Sequence, residues 1–138
     1  SLINSGFNKY VTNIPHGIQT EISKEFNSDG LQLSGGQQQL LASARLYYLK
    51  KSFFILDEPS SALDPRMELE MNQQIWKLTE GITTIIISHR LSMTKNADCI
   101  YYLENGKIVE KGTHEQLCNF KGKYAALWQA QANKYQTP

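Results

Sequence analysis

Two short runs of apolar residues constrain the fold of this chain most strongly. They cover residues 53–56 and 82–87, and polar residues follow each run. The first run is unbroken, which is typical of a strand in a sheet that is covered on both faces. The second includes Thr83 and Thr84 and is rich in β-branched residues, which favour strands. Between them, Pro65 and Gly81 predict the start and end of a helix. The apolar stripe of that helix is formed by Met67, Met71, Ile75 and Leu78. Strand, helix and strand in this order predict an α/β fold with a parallel sheet.

Two pairs of residues with capping-box spacing predict further helix starts. Ser34 precedes Gln37 by three residues, and we expect a helix from Ser34 through residues 50 and 51. Thr113 precedes Gln116 by the same distance. We expect a final helix over residues 124–134.

Turn residues and polarity predict the structure of the remaining segments. Apolar residues 100–103, the pair Asn105-Gly106 and residues 107–110 predict a β-hairpin with a tight turn. Residues 2–11 favour a short helix, and residues 23–30 favour a polar loop.

Size and composition exclude several classes of protein. The chain has 138 residues and a net charge of +1, which argues against broad binding to nucleic acid or to an anionic membrane. Cys99 and Cys118 form no cluster with metal-ligand spacing, so we expect two reduced thiols and no zinc site. No apolar run reaches the roughly 18 to 20 residues that span a bilayer. Any membrane role should therefore come through a partner or another segment.

Two adjacent carboxylates follow the first apolar run. Residues at the carboxyl ends of parallel strands face the ligand site of an open α/β sheet. Asp57 can hold a hydrated Mg²⁺, which prefers one or two carboxylates together with waters and phosphate oxygens. Glu58 can accept a proton from an attacking water. A strand that merely ends in a polar turn is the alternative interpretation.

The segment LSGGQ, at positions 33–37, places two glycines at a predicted helix start. The free N–H groups and the dipole of a helix start favour phosphate, and glycines let an anion approach the backbone closely. Ser34 adds a hydroxyl donor. An ordinary helix cap with a glycine turn would give the same pattern.

A histidine follows the second apolar run. Ser88-His89 should leave the sheet at the same edge as Glu58, where the imidazole can bond a terminal phosphate and hold an attacking water. A histidine with a structural role is the alternative. The same structural interpretation applies to His114 and His16, and we expect Tyr124 and Trp128 to pack rather than stack on bases.

Taken together, these segments resemble the ATP-binding domain of the ATP-binding-cassette (ABC) transporters. LSGGQ at 33–37 resembles the signature motif, and FFILDE at 53–58 resembles the Walker B strand with its catalytic glutamate. SALD at 61–64 is similar to the D-loop, and SHR at 88–90 is similar to the switch-histidine loop. The segment 110–117 resembles the region that closes exporter-type domains.

The resemblance implies specific roles. Two such domains close head to tail around two ATP molecules, as a homodimer or heterodimer, and a transmembrane domain couples them to export at the cytoplasmic face of the membrane. Asp57 would hold Mg²⁺, and Glu58 and His89 would be catalytic for the ATP of their own subunit. The signature residues would contact the partner's ATP, and the D-loop residues would cross the interface. The signature residues are Ser34, Gly35, Gly36 and Gln37. The D-loop residues are Ser61 and Asp64.

One family motif is missing from the chain. No GxxxxGK[ST] sequence, the Walker A phosphate loop, is present. We therefore expect the C-terminal part of one ABC ATPase domain, with a partial P-loop NTPase (RecA-like) parallel sheet and flanking helices. Residues 1–50 would belong to the helical signature subdomain, and residues 51–138 would carry the other motifs. Without the phosphate-loop strand we expect exposed apolar surface and aggregation or low stability.

Other interpretations remain open. The missing phosphate loop would also fit a non-catalytic docking or regulatory remnant. A chromosome- or repair-type ATPase shares signature-like motifs, but the long coiled coils of that class are not visible. The prolines of DEPSSALDP, at positions 57–65, are more usual in importer-like members than in exporters.

Overall fold

The computed structural model describes residues 1–14, 16–23, 30–49 and 51–134, which fall into two compact units. The units are Ser1–Ile87 and Ser88–Pro138. That residues 1–50 and 51–138 are two parts of one ATPase domain stays a prediction.

The first unit alternates helices and strands in the predicted order. Its elements are α1 (Asn8–Val11), a 3₁₀ turn (Gly17–Gln19), α2 (Gly35–Leu49), β1 (Phe53–Asp57), α3 (Pro65–Thr79) and β2 (Thr83–Ile87). The helix predicted over residues 2–11 is thus restricted to its last four positions. Most of the loop predicted at residues 23–30, and residue 50 at the predicted end of α2, lie outside the described residues.

Helix α2 starts with the predicted capping box. The N–H of Ser34 donates to Gln37 Oε1 over 2.8 Å, and the N–H of Gln37 donates to Ser34 Oγ over 3.3 Å. Two donors of the helix start are therefore satisfied by side chains. Leu40 and Ala44 lie on the buried face of this helix.

Helix α3 is capped by Asp64 and begins at Pro65, as the proline predicted. Met71 and Ile75 are only 3% and 2% exposed, which confirms the middle of the predicted apolar stripe, whereas Met67 and Leu78 at its ends are half-buried. Tyr47 Oη, on α2, donates to the carbonyl of Gln74 and joins the two helices. Burial raises the pKa of the Tyr47 phenol.

Strands β1 and β2 pair in parallel, with Phe53 opposite Thr83 and Asp57 opposite Ile87. This pairing confirms the parallel arrangement. The prediction that both faces are covered is wrong. Phe54 and Leu56 are buried, whereas Ile55 is 62% exposed.

The exposed face of this sheet is apolar. Its members are Phe53, Ile55, Ile85 and Ile87, which are 47–62% exposed. The apolar run correctly indicated a strand made for burial on both sides, but covering a face requires a packing layer. None of the described residues provides that layer. The expectation of exposed apolar surface is therefore confirmed.

The second unit contains a hairpin followed by two helices. Its elements are a 3₁₀ turn (Leu91–Met93), β3 (Ile100–Glu104), β4 (Lys107–Gly112), α4 (His114–Phe120) and α5 (Lys123–Lys134). The strands are antiparallel, and Asn105 and Gly106 have φ angles of 49° and 73°. Positive φ at both central residues is the geometry of the predicted tight turn.

The core of the second unit is formed by Leu91, Ile100, Leu117 and Tyr124. Tyr124 is 0% exposed, and Trp128 packs against the same cluster. The prediction that these two aromatic residues serve packing is confirmed. The capping box of Thr113 and Gln116 is also present at the start of α4.

A carboxylate anchors the start of α5. Glu110 Oε1 accepts the N–H of Lys123 over 2.5 Å, and Oε2 accepts the N–H of Tyr124 over 3.1 Å. Lys123 Nζ also contacts Glu104, whose carboxylate raises the pKa of the lysine. A negative charge at a helix start is stabilising. No helix among the described residues is long and apolar enough to cross a membrane.

Candidate functional site

The acid pair lies at the carboxyl end of the parallel strands. Asp57 is the last residue of β1 and pairs with Ile87, the last residue of β2. The N–H of Glu58 then donates to the carbonyl of Ile87 over 2.9 Å. Both strands therefore end at one edge of the sheet, and the two acids leave the sheet there.

The backbone of Glu58 is strained. Its φ angle is +47°, in the left-handed region that residues with a side chain adopt at a cost. Glu58 is partly buried, whereas Asp57 is exposed. The left-handed turn directs the two neighbouring side chains differently, which is what separate roles for the two carboxylates require. Strain of this kind clusters at functional sites.

An open depression lies beside the start of α2. It has a volume of about 550 Å³. The glycine-rich segment and the start of α3 both contribute to its wall. The lining residues are Tyr10, Ser34, Gly35, Gly36, Gln37, Ala62, Leu63, Asp64 and Met67. The first turn of α2 thus borders a space large enough for phosphate groups.

The hydroxyl of Ser34 can serve both the helix and a ligand. Its oxygen accepts the N–H of Gln37, and the residue is exposed. A serine hydroxyl has one donor and two acceptor positions. The capping contact therefore leaves the O–H direction available, and the cap and phosphate interpretations of this segment are compatible.

The two glycines of this segment also pack against the chain that follows the acid pair. A Cβ atom on Gly36 would lie 3.2 Å from the carbonyl oxygen of Ala62 and from the side chain of Leu63. One on Gly35 would lie 3.3 Å from the Cβ of Ala62. These contacts are tighter than ordinary van der Waals distances, so the glycines allow close packing as well as access to the backbone.

Gln39 connects α2 to the segment after the acid pair. Its Nε2 donates to Ser61 Oγ over 2.9 Å and to the carbonyl of Glu58 over 3.4 Å, while its Oε1 accepts the N–H of Ala62 over 3.0 Å. One amide thereby fixes three points of this segment. The role of Gln39 could not be predicted from the sequence, because its partners lie 19 to 23 positions away and leave no local pattern.

Asp64 also has a role within its own chain. Its Oδ1 accepts the N–H groups of Arg66 and Met67, each over 3.0 Å, and so caps α3. Ser61 is bonded to Gln39, as described above. Whether these two side chains also reach a second subunit stays a prediction.

Asp57 fits the demands of a magnesium ion. The described residues contain no group of three or more histidine, cysteine or acidic side chains that could hold a metal by themselves. Mg²⁺ keeps most of its waters and takes one or two carboxylates together with phosphate oxygens. Asp57, a single exposed carboxylate at a strand end, can supply the protein's part of that donor set.

His89 follows β2 by two residues and belongs to the second unit. The residue is exposed. Ser88 Oγ accepts the N–H of Arg90 over 3.0 Å and gives this turn a defined backbone. Gln131 bonds the main chain on both sides of Arg90, another contact that the sequence analysis missed. The predicted meeting of His89 with Asp57 and Glu58 stays a prediction.

The other histidine of this unit, His114, is half-buried and contacts two aromatic side chains. His114 Nδ1 lies 2.8 Å from Tyr124 Oη, which lies 2.8 Å from Thr94 Oγ1. The centroids of the His114 and Trp128 rings lie 4.3 Å apart. Burial, with a contribution from Lys95, lowers the pKa of His114, and burial raises the pKa of Tyr124. These contacts support the structural interpretation of His114.

Comparison with known proteins gives one consistent result. The chain is 46% identical over 121 residues to an ATP-dependent lipid A-core flippase of Ralstonia nicotianae. It is 42% identical over 128 residues to ABC transporter B family member 4 of Dictyostelium discoideum. A solved structure of a bacterial Atm1-family ABC exporter with ATP bound matches 94% of the chain with a TM-score of 0.83 and 33% identity.

One of these proteins is an ABC exporter, one is an ABC transporter and one is an ATP-dependent flippase. The matches cover 88% and 93% of this chain in the two curated relatives and support the ABC transporter family for it. The chain spans only 20% and 16% of those relatives, and 22% of the solved ABC exporter chain. No protein-family model matches it. The α/β architecture of this chain thus matches part of a solved ABC exporter.

Proposed function

We propose that this chain is the C-terminal part of the ATP-hydrolysing domain of an ABC exporter. The observation that carries the proposal is the shared edge of β1 and β2. There Asp57 pairs with Ile87, and the Glu58 N–H bonds the Ile87 carbonyl. Ligands of open α/β sheets bind at this edge. The two-stranded sheet would be part of a larger parallel sheet of the P-loop NTPase type.

The two acids would divide the work between them. Asp57 would hold Mg²⁺ on ATP, and the bound ATP·Mg²⁺ supplies the γ-phosphoryl group that is transferred. Glu58 accepts the proton of the attacking water as general base. Its bond to Ile87 holds the main chain of Glu58 in place before the reaction. Positioning and charge stabilisation account for most of the catalysis of phosphoryl transfer.

The start of α2 would serve the ATP of a partner domain. Its free N–H groups, the Ser34 hydroxyl and the helix dipole together favour a terminal phosphate. The depression beside it supports this role, since its wall contains Ser34, both glycines and Gln37. Ser61 and Asp64 flank the same region and would contact the second domain. The partner is a second domain of this type, arranged head to tail.

His89 would bond the γ-phosphate of the ATP that Asp57 and Glu58 serve. Two features support that role: a hydrogen bond between Ser88 and Arg90 defines the backbone of the turn, and the side chain of His89 is exposed. The exporter would also contain a transmembrane domain, which places this chain at the cytoplasmic face of the membrane.

Replacing Glu58 by glutamine in the full-length protein tests the proposal. The amide keeps the shape of the side chain but cannot take the proton, so ATP turnover should fall roughly 10²- to 10⁴-fold. Glu80→Gln, an exposed acid at the end of α3, is the matched control and should keep wild-type turnover. Undiminished turnover of Glu58→Gln would remove Glu58 from its proposed role.

Titration of the chain by itself separates this function from a docking or regulatory role. The chain has no Walker A motif and hence no phosphate-loop nest, so calorimetry should detect negligible binding of ATP·Mg²⁺. Tight, magnesium-dependent binding of ATP by this chain would contradict the proposal that it carries only part of the ATP site. A full-length protein that is folded but hydrolyses no ATP would favour the regulatory role.

A further inference from the structure

Helix α5 holds the turn that carries His89 through one side-chain amide. Gln131 Nε2 donates to the carbonyl oxygen of His89 over 2.7 Å. The N–H of Leu91 donates to Gln131 Oε1 over 3.0 Å. A backbone carbonyl only accepts and a backbone N–H only donates, so these partners fix the orientation of the amide. The amide therefore grips the main chain on both sides of Arg90.

The far side of the same turn is fixed by the core. Leu91 is 5% exposed and packs with Ile100 and Tyr124. Thr94 Oγ1 donates to the carbonyl of Leu91 over 2.8 Å and also contacts Tyr124 Oη. The main chain from His89 to Leu91 is thus bonded to α5 and to the core, while His89 itself is exposed.

Gln131 stands on a helix that is itself anchored. The carboxylate of Glu110 bonds the N–H groups of Lys123 and Tyr124 at the start of α5. Gln131 follows Tyr124 by seven residues, about two helical turns, on the same face. Because Tyr124 is completely buried, the position of the Gln131 amide follows from the packing of the helix.

We propose that Gln131 is a positioning residue for His89 in ATP hydrolysis. The inference rests on the proposed function of His89. An imidazole that acts on a phosphate must be held within about 0.5 Å of its productive place. A shift of about 1 Å can lower a rate by about 10²-fold. Gln131 limits such a shift by bonding the backbone of His89 directly.

The first test compares Gln131 variants of the full-length protein. Gln131→Ala should lower kcat for ATP about 5- to 50-fold and change KM less than about threefold, because the lost contact supports a transition-state interaction. Gln131→Glu keeps the acceptor for the Leu91 N–H but sets a carboxylate oxygen against the His89 carbonyl, so it should be equally slow. Gln129→Ala, an exposed glutamine on the same helix, is the control. Wild-type kcat in both Gln131 variants would overturn the inference.

A double-mutant cycle separates positioning from a general structural role. Under single-turnover conditions, Gln131→Ala should lower the rate less than about twofold when His89 is already alanine. The same loss in both backgrounds would show that Gln131 acts independently of His89 and would overturn the inference.

The cycle also distinguishes failure of this inference from failure of the proposed function. If His89→Ala hydrolyses ATP at the wild-type rate, the proposed role of His89 is wrong and the positioning role falls with it. If His89→Ala is slow and Gln131→Ala is not, only the positioning role is wrong.

Discussion

The N–H of Glu58 donates to the carbonyl oxygen of Ile87 over 2.9 Å, which adds one step to the parallel ladder beyond Asp57 and Ile87. The acid thereby leaves its own strand and is bonded to the end of the neighbouring strand. The chain reaches His89 two residues after Ile87. This bond therefore joins the backbone of the proposed general base to the last residue of β2.

Removing the side chain of Gln39 should loosen the segment after the acid pair. In Gln39→Ala the Ala62 N–H loses its acceptor and Ser61 loses a donor. Hydrogen exchange of the full-length protein should become faster in peptides that cover residues 58–62, by about 5- to 10-fold for a loss of about 1 kcal/mol. Gln73→Ala, an exposed glutamine on α3, should leave these peptides unchanged. Equal exchange in Gln39→Ala and wild type would contradict the bridging role.

A methyl group at Gly122 should release the anchor of α5. A Cβ there would lie 2.4 Å from Glu110 Oε1, the atom that accepts the Lys123 N–H. Gly122→Ala should therefore destabilise the protein by about 1 kcal/mol, a typical value for a lost helix cap. Urea unfolding followed by the fluorescence of Trp128, in a Trp76→Phe background, measures this change.

The matched cycle uses Glu110. Glu110→Ala removes the same anchor and should cost about as much as Gly122→Ala. In that background Gly122→Ala should add little, because the carboxylate that it displaces is gone and the remaining obstacle, Phe120 Cδ1 at 2.8 Å from the added Cβ, belongs to an exposed ring that can move aside. Additive losses would indicate that Gly122 is required for another reason. Asp98→Ala, an exposed acid outside the helices and strands, should be nearly neutral.

Acidification should weaken the core around His114. The pKa of His114 is lowered in the folded protein, so the unfolded chain takes up the proton first as the pH falls below about 6.5. The unfolded state then binds more protons, and the free energy of unfolding decreases with falling pH. The contribution is fully present above the unfolded pKa. Urea midpoints between about pH 7.5 and pH 5 measure it.

Two variants identify the source of this pH dependence. His114→Gln should show a smaller decrease in stability on acidification, since its amide does not titrate. Lys95→Ala should also show a smaller decrease, because Lys95 contributes to the lowered pKa of His114. A decrease of wild-type size in His114→Gln would assign the effect to another group.

Polar residues on the exposed sheet face should make the chain by itself more soluble. Ile55 and Ile85 are 62% and 50% exposed on paired positions of β1 and β2. Changing both to threonine keeps a β-branched side chain and removes apolar surface, so light scattering should decrease at equal concentration. Phe54→Ala, on the buried face, should instead destabilise by about 3 to 5 kcal/mol and increase scattering. Unchanged scattering of the double variant would place the aggregating surface elsewhere.

Local signals predicted much of the fold because their causes are local. The capping boxes at Ser34 and Thr113 and the turn at Asn105-Gly106 are found where the residue types place them. The parallel pairing of β1 and β2 also followed from the order of strand, helix and strand. What failed was the coverage of Ile55, because burial depends on a packing layer that a strand's own residues do not specify.

The support of the candidate site could not be predicted from the sequence. Gln39 and Gln131 bond backbone groups about 20 and 40 positions away, and glutamine is common on exposed helix faces. The strained φ of Glu58 likewise accompanies a bond to Ile87, a residue 29 positions away, and glutamate as a residue type gives no signal of it. The motif residues were identifiable from sequence, whereas the contacts that hold them appear only in the folded chain.

The most direct test is a structure of the full-length Glu58→Gln protein bound to ATP and Mg²⁺. The account predicts that Asp57 lies beside the magnesium ion and that a ring nitrogen of His89 lies about 2.7–3.2 Å from an oxygen of the same γ-phosphate. Ser34 of a second domain should contact that phosphate from the opposite side. A His89 ring at the other end of the sheet from Asp57, with the phosphate bound elsewhere, would contradict the account.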